Sequence, residues 1–384
     1  MMLHRLSPVP TRRATAALRS ALAGIALAWL PIAGAAAQAP QAPATTAPAP
    51  APAPAPVAAE RAQPALDPSP TLEAIRARGH VLCGVHAGLP GFAAADAEGR
   101  WSGFEVDLCR AVAIAIFGAE EDRLRFVPLT AEARFAALRA GEVDMLMRGT
   151  ALTFGRDVTL GLDFPLVTFH DGQGFMLRAA LGLENAAQLD GARICVQAGT
   201  DGQAILAEWA AENRLNIRSV AIERLEATVQ AYAGNRCDAI SAPIATLAAM
   251  RALLPEPAAH RILPQVISIE PQGPALRQDD PRFADLVRWV LLGLIAAEEL
   301  GITAAEAAAM RENDPRPAVR RLLGAENGFG PALGLDTGVM LAVLTRLGNY
   351  GEIYERNLAP LGLQRGRNAL WTQPGGLMFA PPLR

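Results

Sequence analysis

The 384-residue chain contains no lysine; all 35 of its basic side chains are arginine. Schiff-base catalysis and the phosphate-loop lysine are excluded at the outset. Histidine is scarce, and His4, His80, His86, His170 and His260 have no metal-ligand spacing. Neither a Gly-x-Ser-x-Gly elbow nor a phosphate loop occurs, so no metal, cofactor or catalytic constellation is expected. Beyond the amino terminus no segment reaches membrane-spanning length without charge. Nor is there a basic surplus. Arg5, Arg12, Arg13 and Arg19 precede every acid, and 35 less these four leaves 31 arginines against 38 acids. Nucleic acid is therefore not an expected partner.

What is present begins with an export signal. Arg12, Arg13 and Arg19 precede the short apolar stretch from Ala21 to Ile32, and Ala35-Ala36-Ala37 supplies small residues for cleavage. Residues 1–37 are expected to be a signal peptide cut near Ala37, with an uncleaved anchor as the alternative. No cysteine near that point offers lipid attachment. The mature protein is then soluble and outside the cytoplasm, in the periplasm. Residues 38–70 are rich in Ala and Pro, alternating from Ala47 to Pro56. Such a stretch cannot bury a core and favours extended geometry, as a tether or a tolerated spacer.

Half of the chain is apolar and 19% is charged, and its length suits roughly two domains. Strands and helices alternate after Thr71, which is expected to cap a helix over Leu72–Arg78. Val81–Val85 reads as a strand, Val106–Phe117 as a helix, Leu124–Val127 as a strand, Ala131–Ala140 as a helix and Val143–Met147 as a strand. A helix–Gly–Asp–strand joint recurs, at Phe135–Leu146 and again at Val229–Ile240. The fold class is α/β: two Rossmann-like lobes joined by crossing strands, with an irregular C-terminal extension. The expected boundaries are 71–176 for the first lobe, 177–270 for the second, and 271–384 for the return and extension.

Cys83, Cys109, Cys195 and Cys237 in an exported chain suggest two disulfides, for which three connectivities exist. If the halves are separate lobes, the pairs are Cys83–Cys109 and Cys195–Cys237; four buried free thiols are the alternative.

Loops at the carboxyl ends of parallel strands are where open α/β sheets bind ligands. One such loop runs from Arg148 to Arg156 through Gly149 and Thr150. Arg156 is expected to grip a carboxylate with its planar fork, and Arg148 is counted with it. A surface pair with Asp157 or Asp163 is the plainer alternative. In the second half Gly199, Thr200 and Asp201 precede a helix whose free amides suit an anion, or which they merely cap. Phe92 is either a wall of the site or core. Glu105 and Asp107 open a helix and are expected to act as caps.

From about Thr71 onward the chain resembles the periplasmic general L-amino acid-binding proteins of ABC transporters. The resemblance rests on Gly88-Leu89-Pro90-Gly91-Phe92, Trp101-Ser102-Gly103-Phe104-Glu105, Asp171-Gly172-Gln173-Gly174-Phe175, Gly348-Asn349-Tyr350-Gly351-Glu352 and Asn368-Ala369-Leu370-Trp371. It implies the type II periplasmic-binding fold, a small-molecule ligand in the interlobe cleft, delivery by a monomer to a membrane permease, and cysteines at the family's positions. It places Arg156 on the family's carboxylate-binding arginine, Gly199 and Thr200 on the second-lobe helix terminus, and Phe92 on the aromatic wall. It also shows departures. Pro243 stands where the family has an Asp for the ligand's ammonium, Ala151 where a hydroxyl is usual, and Asp201 where Thr is common. Asp201 is one candidate for the missing charge. The rival readings are a receptor for an organic acid without an amine, an exported enzyme such as a dehydratase on the same fold, and a sensing module.

Overall fold

The computed structural model describes residues 67–326 and 328–383. The expected signal peptide and the tether as far as residue 66 lie outside the described residues. The first helix, α1 (Pro70–Arg78), is capped by Ser69 rather than Thr71: the Ser69 hydroxyl accepts from Leu72 N at 3.3 Å. Pro70 suits the first turn because its missing N–H would have had no helical partner.

The chain then builds β1 (Val81–His86), a small hairpin of β2 (Ala94–Ala95) and β3 (Trp101–Ser102), α2 (Phe104–Phe117), β4 (Leu124–Leu129), α3 (Arg134–Arg139) and β5 (Met145–Ala151). A π-helical turn at Gly155–Thr159 leads to β6 (Leu162–Asp163) and β7 (Phe169–Asp171). The second lobe contains β8 (Gln173–Arg178), β9 (Arg193–Gln197), α4 (Gly202–Glu212), β10 (Arg218–Ile222), α5 (Leu225–Ala233), β11 (Ala239–Pro243), α6 (Ile244–Ala252) and β12 (His260–Ile262). The return strand β13 (Glu270–Arg277) closes the first sheet, in the order β4-β1-β5-β13-β6, with β7 also paired to β13. The second sheet runs β10-β9-β11-β8-β12. In both sheets three parallel strands are flanked by antiparallel ones, so the recurring joint noted in the sequence does mark two similar lobes.

The first crossing falls at Gly172, between β7 of one sheet and β8 of the other, and not after Met176. The apolar run Phe175–Leu177 belongs entirely to the second sheet, where all three residues are buried. Gly172 is required there by space: a Cβ would lie 2.4 Å from Val266 Cγ1 and 2.5 Å from the Ser268 carbonyl oxygen on the second crossing segment. Each disulfide stays within one lobe. Cys83–Cys109 ties β1 to α2, and Cys195–Cys237 ties β9 to the loop before β11.

After β13 come α7 (Pro281–Glu299), α8 (Ala307–Asn313) and α9 (Pro317–Leu322). The Gly- and Pro-rich stretch beyond them is less irregular than its composition implies, because it contains α10 (Val339–Leu347) and α11 (Tyr350–Asn357). Asn349 and Glu352 form a reciprocal capping box that starts α11. Val343, Leu344, Tyr350, Ile353 and Tyr354 are buried. Phe104 of α2 meets Tyr350 edge-on at 5.7 Å, and Phe169 of β7 stacks on Tyr354 at 6.2 Å. Among the described residues, no helix is long and apolar enough to cross a membrane.

Candidate ligand-binding cleft

Four strand carboxyl ends point into one cavity. His86 ends β1, Ala151 ends β5, Gln197 ends β9 and Pro243 ends β11, and all four line a cleft of about 810 Å³, counting space open to solvent. This is the place where open α/β sheets take ligands.

Arg156 projects into the cleft from the π-helical turn, and only 8% of it is exposed. Nη1 donates to the Ala151 carbonyl at 2.8 Å, and Nη2 meets Asp201 Oδ2 at 2.7 Å on the opposite lobe. Its ion-pair partner is thus neither Asp157 nor Asp163. Arg148 lies on β5 itself and donates from Nε to the Leu129 carbonyl at 2.8 Å. Arg134, passed over in the sequence, opens α3, stacks 4.1 Å over the Phe135 ring and donates to the carbonyls of Ala131 and, at 3.1 Å, Gly199. Burial and the neighbouring guanidiniums of Arg148 and Arg156 push the Arg134 pKa down to about 9, and burial pushes Arg148 to about 10. Both remain cationic at neutral pH, so three mutually repelling positive charges line the first-lobe wall.

The second-lobe residues divide. Thr200 and Asp201 line the cleft, whereas Gly199 stands behind it with φ +71° and offers its carbonyl to Arg134. The Thr200 hydroxyl donates to the Gln197 carbonyl at 2.7 Å and accepts from Gly202 N at 3.2 Å, which closes its own turn. Asp201 makes no side-chain cap to α4, because its carboxylate reaches across to Arg156. Phe92 lines the cleft at 3% exposure and packs edge-on against Phe169 at 5.7 Å, so it is wall and core at once.

Glu105 and Asp107 are not caps: α2 begins without a side-chain cap bond. Glu105 instead accepts from Gly149 N, across the cleft floor, and burial pushes its pKa up to about 7. Asp107 accepts from Arg110 at 2.9 Å and from Arg356 and Asn357 of α11 at 2.8 Å, which moors the extension.

Two further acids line the cleft where the lobes join. Asp171 on β7 and Glu270 on β13 are register partners in an antiparallel pair. Asp171 accepts from Gly172 N at 2.8 Å and Ala245 N at 3.2 Å, yet burial pushes its pKa up to about 7. Burial raises Glu270 as well. Asp171 stands in a motif quoted above, but a lone acid beside Gly reads there as a turn residue; that it borders two strands of different sheets was its only signal.

The cleft also holds buried polar atoms without a partner: His86 Nδ1, Glu105 Oε2, Arg134 Nε and Gln173 Oε1. Such atoms are rare in folded interiors, and a bound solute or water can complete them. Burial, then Arg148 and Arg134, push His86 down to about 3, which makes it a poor base. Among the described residues no cluster of three or more His, Cys, Asp or Glu is placed to hold a metal ion. Cations on one wall and acids at the junction suit the binding of a small bipolar molecule.

The chain is similar to known proteins over most of its length. A family model described as bacterial extracellular solute-binding proteins, family 3, matches residues 81–304. The general L-amino acid-binding periplasmic protein AapJ of Rhizobium johnstonii is 46% identical over 319 residues, 82% of this chain and 93% of that protein. The glutamate/glutamine/aspartate/asparagine-binding protein BztA of Rhodobacter capsulatus is 45% identical over 317 residues, 82% and 93% of the two chains. Among solved structures, an ABC transporter periplasmic binding protein from Brucella ovis with glutathione bound has a TM-score of 0.79 and 45% identity. It covers 82% of this chain and 99% of its own.

Proposed function

Because the chain belongs to the family 3 bacterial extracellular solute-binding proteins, we propose that it captures an L-amino acid in the periplasm and delivers it to an ABC importer. The relatives are named as binding proteins, which favours a receptor over an enzyme and an amino acid over an acid without an amine. The ligand enters the interlobe cleft, its carboxylate taken by the Arg156 fork and by the turn at Thr200, with Arg148 beside them and Phe92 as a wall. One chain supplies both sides of the cleft, so the proposed site needs no second copy, which is compatible with a monomer.

One observation carries the site assignment. Arg156, almost fully buried, already holds a carboxylate, that of Asp201, at 2.7 Å between the lobes. Asp201 occupies the place proposed for the ligand's acid group. A guanidinium is suited to this exchange, because Nη1 stays on the Ala151 carbonyl while Nη2 is passed from one carboxylate to the other. A thermal-shift panel of the twenty amino acids, with native mass spectrometry of the protein as purified, tests the proposal. A raised midpoint with one or more amino acids is expected; silence to all twenty removes it.

A second reading has its own support. The glutathione-bound relative favours a small peptide bearing an amino-acid end. Glutathione raising the midpoint above every free amino acid would establish that version.

A further inference from the structure

The acids at the lobe junction have no task in the carboxylate-binding half of the site. Asp171 and Glu270 face each other on β7 and β13. Side chains directly opposite in an antiparallel pair have Cβ atoms about 4.5–5.5 Å apart, and like charges there destabilise the sheet. Each carboxylate has local partners: Gly172 N and Ala245 N for Asp171, and the Ser268 hydroxyl at 3.0 Å for Glu270. None of these is a cation, and the positive charge felt by Glu270 is that of Arg156, which Asp201 already pairs. A carboxylate has about four lone-pair sites, so both can accept further donors.

Gln173 adds an independent sign. It is fully buried, lines the cleft and lies two residues beyond Asp171, on the same face of extended backbone. Its Nε2 donates to the Gly202 carbonyl and the Ser241 hydroxyl, both at 2.9 Å, and that hydroxyl donates onward to the Gly174 carbonyl. This chain fixes the amide and leaves Oε1 without a partner. Pro243 sits directly opposite Gln173 in the register of β11 and β8. The acid expected at 243 is thus absent at the strand end, while Asp171 lies one strand across at the amino terminus of α6.

We propose that the ligand's amino group is held at the lobe junction by Asp171, Glu270 and Gln173 Oε1, in place of a carboxylate at position 243. This rests on the amino-acid receptor proposed above. A primary ammonium has three N–H donors, and the junction offers three acceptor groups. Asp201 is not among them, since it lies beside Arg156, at the carboxylate end of the cleft. The ligand then spans the cleft with its acid on the first-lobe arginines and its amine at the hinge. Compounds with the acid but no amine are the disfavoured class.

Three matched pairs of probes separate the two ends: L-glutamate with glutarate, L-glutamine with glutaramate, and L-leucine with 4-methylpentanoate. Titration calorimetry on the wild-type protein is expected to show an amino acid binding at least about tenfold tighter than its partner lacking the amine. Asp171→Asn and Glu270→Gln are each expected to weaken the amino acid by about tenfold or more and leave the partner compound unchanged. Glu270→Gln makes no change at the α6 terminus, so it carries the test if Asp171→Asn lowers the unliganded midpoint. Variants that bind the amino acid within about threefold of wild type overturn the junction site and leave the receptor standing. Equal wild-type binding of both members of a pair overturns it too. If all six probes are silent, the pair is rebuilt on whichever amino acid raises the midpoint in the panel of twenty, and silence to all twenty removes the receptor proposal and this inference together.

Discussion

Arg156 divides its guanidinium between the Ala151 carbonyl and the carboxylate facing it. A lysine could supply the charge there but not two parallel N–H bonds. Arg156→Lys is therefore expected to weaken ligand binding by at least about tenfold in calorimetry; an unchanged affinity would remove Arg156 from the site. Glu105 gives a prediction with a definite sign in pH. Burial raises its pKa to about 7 in the folded protein, from 4.5. The folded state thus binds more protons than the unfolded state between these values, and stability falls as pH rises through that window. Glu105→Gln abolishes this dependence. Wild type should lose roughly 2–3 kcal/mol relative to the variant between pH 4.5 and pH 7. His86, lowered to about 3, acts with the opposite sign, so the variant-minus-wild-type difference in denaturation midpoints is the quantity to follow. Parallel curves for the two proteins would refute the assignment. Arg156 was legible in the sequence because it follows a strand through a Gly- and Thr-containing loop. Arg134 and Glu270 were not, because an arginine opening a helix and an acid opening a strand look alike whether they face solvent or a cleft.

Among the elements, the crossing strands are the most demanding of sequence. Gly172 lets β7 pass into β8 within 2.5 Å of where a Cβ would strike the Ser268 carbonyl. That oxygen is backbone and cannot rotate away, so Gly172→Ala must separate the two crossing segments. A loss of about 1–3 kcal/mol is expected by chemical denaturation, together with weaker ligand binding, because Asp171 and Gln173 flank the glycine. A variant as stable as wild type would mean that the crossing has slack. The strands and lobe helices were largely visible beforehand, since apolar runs bounded by Gly and Asp reflect burial on both faces of a sheet. Helices α10 and α11 were hidden by composition. Glycine and proline dominate the turns around them, and the capping pair Asn349 and Glu352 becomes a signal only when read as a unit.

For the whole molecule, the extension acts on the hinge as well as on the first lobe. The Asn368 amide pairs with both backbone groups of His170 on β7, at 2.6 and 3.0 Å, as another strand would. Arg251 of α6, in the second lobe, donates to the Leu361 carbonyl at 3.2 Å. Lobe 1, hinge and lobe 2 are therefore all in touch with the segment that composition alone left unassigned. No local pattern reports such contacts, because they join residues 110 and 198 positions apart along the chain.

If the cargo's acid binds Arg156 as proposed, the salt bridge between Arg156 and Asp201 makes the receptor its own competitor. A tethered carboxylate has an effective concentration that free solutes must exceed before they displace it. Capture would thereby be weakened and release made easier, since a replacement anion waits beside the departing one. Asp201→Asn withdraws that replacement: the variant should bind its cargo more tightly and let it go more slowly in stopped-flow chase experiments, whereas a faster release would show that Asp201 holds the cargo instead of evicting it.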